Sequence, residues 1–351
     1  MKILFATNLS HIPQSSGGSQ SSTHDLCIAL INRGIHPAVL AALEGNKDII
    51  WIKNRIKAKI SKDFFPSDNV MGYPVYRGWH VVGGVDNVIK KNHPNVAIIQ
   101  SNNPLSLASK FIKKKIKTVI YLRDVEFGAH QKNYQDYPSL KFIANSQFVA
   151  DTFLKKFGLD AKVIHPLVEI ERYKITPDRL KVVFINPVKI KGLELAFMLA
   201  EANKDIPFLF VESWSLSSDD KEKIMSRARQ SGNIEFKDRQ KDMRNIYKQA
   251  KLMLVPSLCY EAWGRVVTES QCSGIPALAS SRGGLPESVG EGGVLLDPEG
   301  NSLDEWSEAL RKLWFDNSSY QFFVERAINN SRRIEISQDF IINEFIKCID
   351  F

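Results

Sequence analysis

The chain has 351 residues, of which 44% are hydrophobic and 25% charged, and its formal net charge is +8. That length exceeds one ordinary domain of about 100–200 residues and is short for three, so two domains are expected. No apolar run reaches the roughly 18 residues that span a bilayer, so a soluble or peripheral protein is expected; the apolar opening, shorter than the roughly 7–15-residue core of a secretory signal, reads as a first buried strand, and the four separated cysteines fit a cytoplasmic protein. Short β-branched runs alternate with longer amphipathic stretches, the pattern of strand–helix units built on a parallel sheet. In the first half, strands are expected at residues 2–6, 37–41, 96–99, 117–122 and 142–144, with helices near 22–32 and 105–115. The pattern restarts with a strand at 181–185, a helix near 193–202, a strand at 208–211, a helix at 221–230 and strands at 234–236 and 252–255.

Between the halves, residues 166–178 are polar and bounded by prolines, and read as a linker. The expected division is therefore a first domain 1–171, a second domain 172–335, and an amphipathic final segment 336–351 that packs back onto the first domain. The basic excess lies wholly in the first half, concentrated in residues 51–62 and 110–117, where cations are mixed with large apolar side chains. Two readings of these stretches stay open: contact with an anionic membrane surface, or solvated helix faces. Nucleic acid is not expected as a partner, because no aromatic-stacking or zinc-finger pattern accompanies the charge. Cys27, Cys259, Cys272 and Cys348 are widely separated and read as buried reduced thiols. His11, His24 and His130 come with no serine or cysteine constellation that would argue nucleophilic hydrolysis. No cluster of carboxylates or histidines argues for a metal.

The densest chemical signal runs from Val255 to Ala279 and reads strand, loop, helix, stop, strand. A helix starting near Gly264 would end at Ser273, with Gly274 as a left-handed terminator and Pro276 preventing continuation. The backbone N–H groups of Gly264, Arg265 and Val266, with the helix dipole, would suit a phosphate or diphosphate. Glu261 lies before that helix and Glu269 about 7 Å further along it at 1.5 Å per residue. Two carboxylates flanking an anion site suit a ligand with hydroxyls on both sides of a diphosphate, as in a nucleotide sugar.

These residues resemble the retaining GT-B glycosyltransferases of glycosyltransferase family 4, whose mark is two glutamates separated by seven residues. The flanks agree: Pro256-Ser257, Gly264, Ser273-Gly274-Ile-Pro276, and Gly283-Gly284-Leu-Pro-Glu287 before Gly292-Gly293. The resemblance implies a GT-B fold, two Rossmann-like α/β domains facing across a cleft, the first binding the acceptor and the second the donor. It implies transfer with retention from a nucleoside-diphosphate sugar, UDP- or GDP-linked, to a glycan, lipid-linked or small-molecule hydroxyl, without a metal or other cofactor. Glu261 would contact the transferred sugar and Glu269 the nucleotide ribose. Lys191-Gly192 matches the family's Lys-Gly pair, but Asn186 stands where an arginine is usual, leaving Lys189 or Arg265 to supply the second cation.

In the first domain Gly17 and Gly18 match the glycine-bearing loop that approaches the donor diphosphate. Arg123 and Asp124 replace a His-Asp pair at a strand end and, with His130, are the acceptor-side candidates; Ser146 reads as an N-cap. A glycine-rich turn usual after the strand 208–211 is replaced by Glu212-Ser-Trp-Ser-Leu216. The alternatives on the same architecture are a nucleotide-sugar epimerase or hydrolase, and a non-catalytic nucleotide-sugar-binding protein.

Overall fold

The computed structural model describes residues 1–45, 48–61, 64–100, 103–125 and 134–351. Its contacts divide the chain into two compact units, Met1–Leu167 with Gln338–Phe351, and Val168–Ser337.

The first unit runs β1 (Lys2–Ser10), α1 (Gly18–Ile31), β2 (His36–Ala42), α2 (Ile49–Ser61), β3 (Ser67–Asp68), β4 (Val75–Gly78), α3 (Val81–Asn92), β5 (Val96–Ile99), α4 (Pro104–Lys113), β6 (Lys117–Leu122), β7 (Lys141–Ala144), α5 (Gln147–Phe157) and β8 (Lys162–Val163). Its sheet has the order β3-β4-β2-β1-β5-β6-β7-β8, parallel except for the short β3–β4 pair. The central strands are apolar because helices cover a parallel sheet on both faces; Ile3, Leu4, Phe5 and Ala6 have no exposed surface. Ser146 caps α5 by accepting from Val149 N at 3.1 Å, as its type and position predict.

The second unit runs α6 (Ile170–Tyr173), β9 (Lys181–Ile185), α7 (Leu193–Ala202), β10 (Phe208–Val211), α8 (Ser218–Ser231), β11 (Ile234–Lys237), α9 (Arg244–Tyr247), β12 (Ala250–Val255), α10 (Arg265–Gln271), β13 (Ala277–Ser280), α11 (Leu285–Val289), β14 (Gly293–Leu296), α12 (Leu303–Phe315) and α13 (Asn317–Ser331). Its sheet, β11-β10-β9-β12-β13-β14, is parallel throughout. The chain proceeds from β9 outward through β10 and β11, then returns to lay β12 on the other side of β9. That reversal opens a crevice at the carboxyl ends of β9 and β12, the usual ligand position in an open α/β sheet.

Residues 168–178 of the polar segment expected as a linker fall within the second unit. Within it α6 buries Tyr173 in the core that also holds Val267 and Ile275. Ser273 Oγ donates to Tyr173 O at 3.1 Å and accepts from Ile175 N at 2.9 Å. One buried aromatic among Glu169, Glu171, Arg172 and Lys174 gives no periodic signal, which is why the composition reads as linker. The thiols also differ in part from expectation: Cys27 and Cys272 are buried, whereas Cys259 and Cys348 are half-buried.

The last helix, α14 (Gln338–Ile349), returns to the first unit. Its side chains Ile341, Ile342, Phe345 and Ile349 are buried, and Phe345 stacks on Phe5 of β1 with ring centroids 6.1 Å apart. The ion pairs Arg33–Asp339 at 2.5 Å and Lys162–Glu344 at 2.9 Å frame this packing, but such solvent-facing pairs each contribute about 0–1 kcal/mol. Phe345→Ala is expected to destabilise the first unit by about 3–5 kcal/mol, read by urea unfolding, through the cavity left against Phe5.

Candidate active site

Three loops leave the carboxyl ends of neighbouring strands β9, β12 and β13 and are tied to one another by hydrogen bonds to backbone carbonyls. Leu258 N and Cys259 N donate to Ile190 O at 3.0 and 3.2 Å, Gly284 N donates to Glu261 O at 2.6 Å, and Arg282 donates to Leu258 O at 3.0 Å. Gly192 closes the first loop at φ 82°, and a Cβ there would lie 1.9 Å from Pro256 O, so only glycine permits the approach. Gly264 opens α10 at φ 99°, where a Cβ would lie 2.6 Å from Leu285 Cδ2 and 2.8 Å from Ser288 Oγ.

This scaffold brings two residues together that are 70 positions apart. Lys191, in a 3₁₀ turn before α7, places its ammonium 2.5 Å from Glu261 Oε1. Ser257 Oγ donates to the same oxygen at 2.8 Å. The side chains of Lys191 and Glu261 are 15% and 19% exposed, so the pair is partly screened yet accessible. The Trp214 ring lies 5.1 Å from the Lys191 ammonium, at the position where the glycine-rich turn is missing. The other cation candidate of this turn, Lys189, is exposed.

Glu269 has different surroundings. It is buried on α10, its Oε1 accepting from Arg265 Nε at 2.6 Å and its Oε2 from the Tyr247 hydroxyl at 2.6 Å. Arg265 also donates to the Tyr173 hydroxyl at 3.1 Å, so its guanidinium is engaged with the body of the unit as well as lying at the helix start. Burial first, and then the Glu269 carboxylate, push the Tyr247 phenol well above its ordinary value, so it stays protonated and remains the donor. Tyr247 gives no sequence signal for this role, lying 22 residues from its partner, and Tyr173 is hidden in the apparent linker.

Asn186, in place of the usual arginine, is buried at φ 68° and accepts from Trp214 N through Oδ1 at 3.0 Å. It thereby ties the loop after β9 to the loop after β10. Val266 is half-buried in the first turn of α10, and Gly274 adopts φ 64° as the expected terminator.

In the first unit Gly17 is the N-cap of α1, in extended conformation, and Gly18 is exposed at the first helical position. Arg123 donates to Ser19 O at 2.7 Å and Thr23 Oγ1 at 2.9 Å, and lies 4.1 Å over the Tyr121 ring, so it anchors the first turns of α1 to the end of β6. Asp124 follows it, half-buried. His130 lies outside the described residues. His11 is buried, with Nε2 2.9 Å from the Tyr73 hydroxyl, which is also 3.0 Å from His24 Nδ1. Burial, then the charges of Arg77, His24 and Arg123, lower the His11 imidazole to about 3. Among the described residues no group of three or more His, Cys, Asp or Glu side chains is placed to hold a metal ion.

The two ion pairs should differ in how much stability a substitution costs. Arg265→Met leaves the Glu269 carboxylate buried without its cation and is expected to cost about 3–5 kcal/mol in urea unfolding, while Glu261→Gln is expected to cost under about 1 kcal/mol. His11 gives the first unit a pH dependence: the unfolded imidazole takes up a proton near 6.5 and the folded one only near 3. Its contribution is therefore complete above pH 6.5 and declines below it by about 1.4 kcal/mol per pH unit. His11→Gln should flatten that slope in thermal unfolding between about pH 6.5 and 4.

Residues 171–330 match the family model described as glycosyl transferases group 1. A D-inositol 3-phosphate glycosyltransferase of Corynebacterium glutamicum is 37% identical over 87 residues, 25% of this chain and 21% of the relative, so the match spans about a fifth of that protein. The structure is similar to that of a glycosyltransferase from Rickettsia africae, with TM-score 0.76 at 16% identity over 99% of this chain and 97% of that one. It is equally similar to Anabaena HepE in complex with UDP-glucose, with TM-score 0.76 at 18% identity over 99% and 98% of the two chains. Residues 171–330 are thus similar to glycosyl transferases group 1, and the two parallel-sheet α/β units have the GT-B fold of these solved structures.

Proposed function

We propose that the chain is a retaining, metal-independent glycosyltransferase that moves a sugar from a UDP- or GDP-linked donor to a hydroxyl of a glycan, lipid-linked or small-molecule acceptor. The carrying observation is the Lys191–Glu261 pair at the crevice between β9 and β12. Both hydrogen bonds to Glu261 fall on Oε1, which leaves Oε2 for hydroxyls of the transferred sugar. The Lys191 ammonium neutralises charge that develops on the departing diphosphate, an interaction stronger in the transition state than in the ground state. The first backbone N–H groups of α10, at Gly264, Arg265 and Val266, complete the diphosphate site, and Glu269 receives the ribose. With Asn186 committed to Trp214, Lys191 carries the leaving-group charge at this loop, with Lys189 on its outer side.

Residues 172–335 bind the donor in this reading and residues 1–171 the acceptor, with Gly17 and Gly18 toward the diphosphate and Arg123, Asp124 and His130 toward the acceptor. The departing phosphate assists the incoming hydroxyl on the same face, so no general base is assigned. UDP is the first donor to test, since HepE, of like fold, was solved with UDP-glucose. The setting is cell-surface polysaccharide or glycoconjugate synthesis at the cytoplasmic face of a membrane, where a lipid-linked acceptor brings the basic first unit against anionic lipid. No helix among the described residues is long and apolar enough to cross a membrane.

Screening UDP- and GDP-sugars by thermal shift should reveal one stabilising donor, by about 2.7 kcal/mol at 100 times its dissociation constant. With that donor, Lys191→Ala and Glu261→Ala should each lower transfer about 10²–10³-fold. The internally paired Glu269 and the structural Asn186 favour a second reading, a protein that binds or hydrolyses nucleotide sugars without transfer. Labelled-donor turnover that needs no acceptor would decide for hydrolysis, and transfer unchanged in both variants would remove the site assignment.

A further inference from the structure

The two basic stretches of the first unit carry similar side chains, but the fold treats them oppositely. In α4 the apolar side is consumed by the core: Leu105, Leu107, Ala108 and Phe111 are buried. In α2 the buried positions are Ile50 and Asn54, while Ile49, Ile52, Ile56 and Ile60 are 65%, 46%, 53% and 79% exposed. Those four recur at intervals of three and four residues, so at 3.6 residues per turn they form one stripe, with Ile50 and Asn54 on the far side. Lys53 borders the stripe on one side and Lys59 on the other, with Arg55 and Lys57 further round, and the helix contains no acidic residue. Lys57 also donates to Ser67 O at 2.9 Å, which fixes the cationic flank against the end of the neighbouring segment.

A helix folded only for solubility turns its apolar side inward; this one turns Ile50 and an asparagine inward and four isoleucines out. The geometry points to α2 as a docking helix that lies in the interface of an anionic phospholipid bilayer. The isoleucine stripe enters the acyl boundary, and Lys53, Arg55 and Lys59 meet lipid phosphates. Charge selects lipid over a second copy of the chain, because two such faces in contact would bring like cations together. This rests on the membrane contact proposed above and assigns it to one face of one helix. It requires no turnover, so failure of the transferase reading leaves it unaffected.

Co-sedimentation of the full chain with phosphatidylcholine vesicles, with and without phosphatidylglycerol, tests it. The wild-type chain should bind only vesicles containing phosphatidylglycerol, and raising salt to about 0.5 M should weaken binding. Ile52→Ser with Ile56→Ser, and separately Lys53→Ala with Lys59→Ala, should each lower partitioning at least about tenfold while nucleotide-sugar stabilisation is retained. Undiminished binding by the isoleucine variant would overturn the assignment to α2 and leave the membrane contact standing. Absence of wild-type binding at any salt would remove both. A wild-type dimer in sedimentation equilibrium that dissolves in the isoleucine variant, without vesicle binding, would make the face a self-association surface and also overturn the proposal.

Discussion

The candidate site of the second unit depends on one contact, the ammonium of Lys191 against the carboxylate of Glu261. The two residues meet because β9 and β12 pair directly, although two strand–helix units separate them in sequence. Strand pairing alone brings the loops to the same edge; the fine approach is set by backbone. Pro256 O lies where a Cβ of residue 192 would stand, and Ile190 O receives two amides from the loop that carries Glu261. Side-chain chemistry here is thus positioned by main-chain hydrogen bonds, which tolerate little substitution at the glycine and much at the exposed Lys189.

Much of this arrangement was legible in the sequence, and the reasons differ by element. Central strands of a parallel sheet are continuous apolar runs, so residues 96–99, 117–122, 181–185 and 208–211 were readable to the residue. The edge strand β3, Ser67–Asp68, has no apolar run to read. The paired glutamates and the Gly274 terminator announced themselves through spacing and turn chemistry, and Lys191-Gly192 through the family resemblance. What spacing could not supply was occupancy: that Glu269 would be held by Tyr247 and Arg265, or that Asn186 would turn its side chain to Trp214 N, depends on which loops become neighbours.

The apparent linker teaches the same lesson at larger scale. Polarity and flanking prolines describe a segment that crosses between units, yet one aromatic side chain suffices to dock it. Tyr173 meets Arg265 of α10 with its ring and hydroxyl and Ser273, just beyond that helix, with its carbonyl, so the helix carrying Glu269 is braced by the first turn of its own unit. In α2 the logic is reversed. Apolar residues at helical spacing ordinarily mark the side facing the core, and here the core receives the other side.

The brace around Glu269 bears on the entropy of ligand binding. A free glutamate loses up to about 1.5–2 kcal/mol of rotamer freedom when a ligand fixes it. Between Arg265 and Tyr247 that freedom has already been given up during folding, and each carboxylate oxygen still has a second lone pair. A hydroxyl that reaches Glu269 therefore meets an acceptor with its direction already set, so geometry rather than adaptation decides which ligands it accepts.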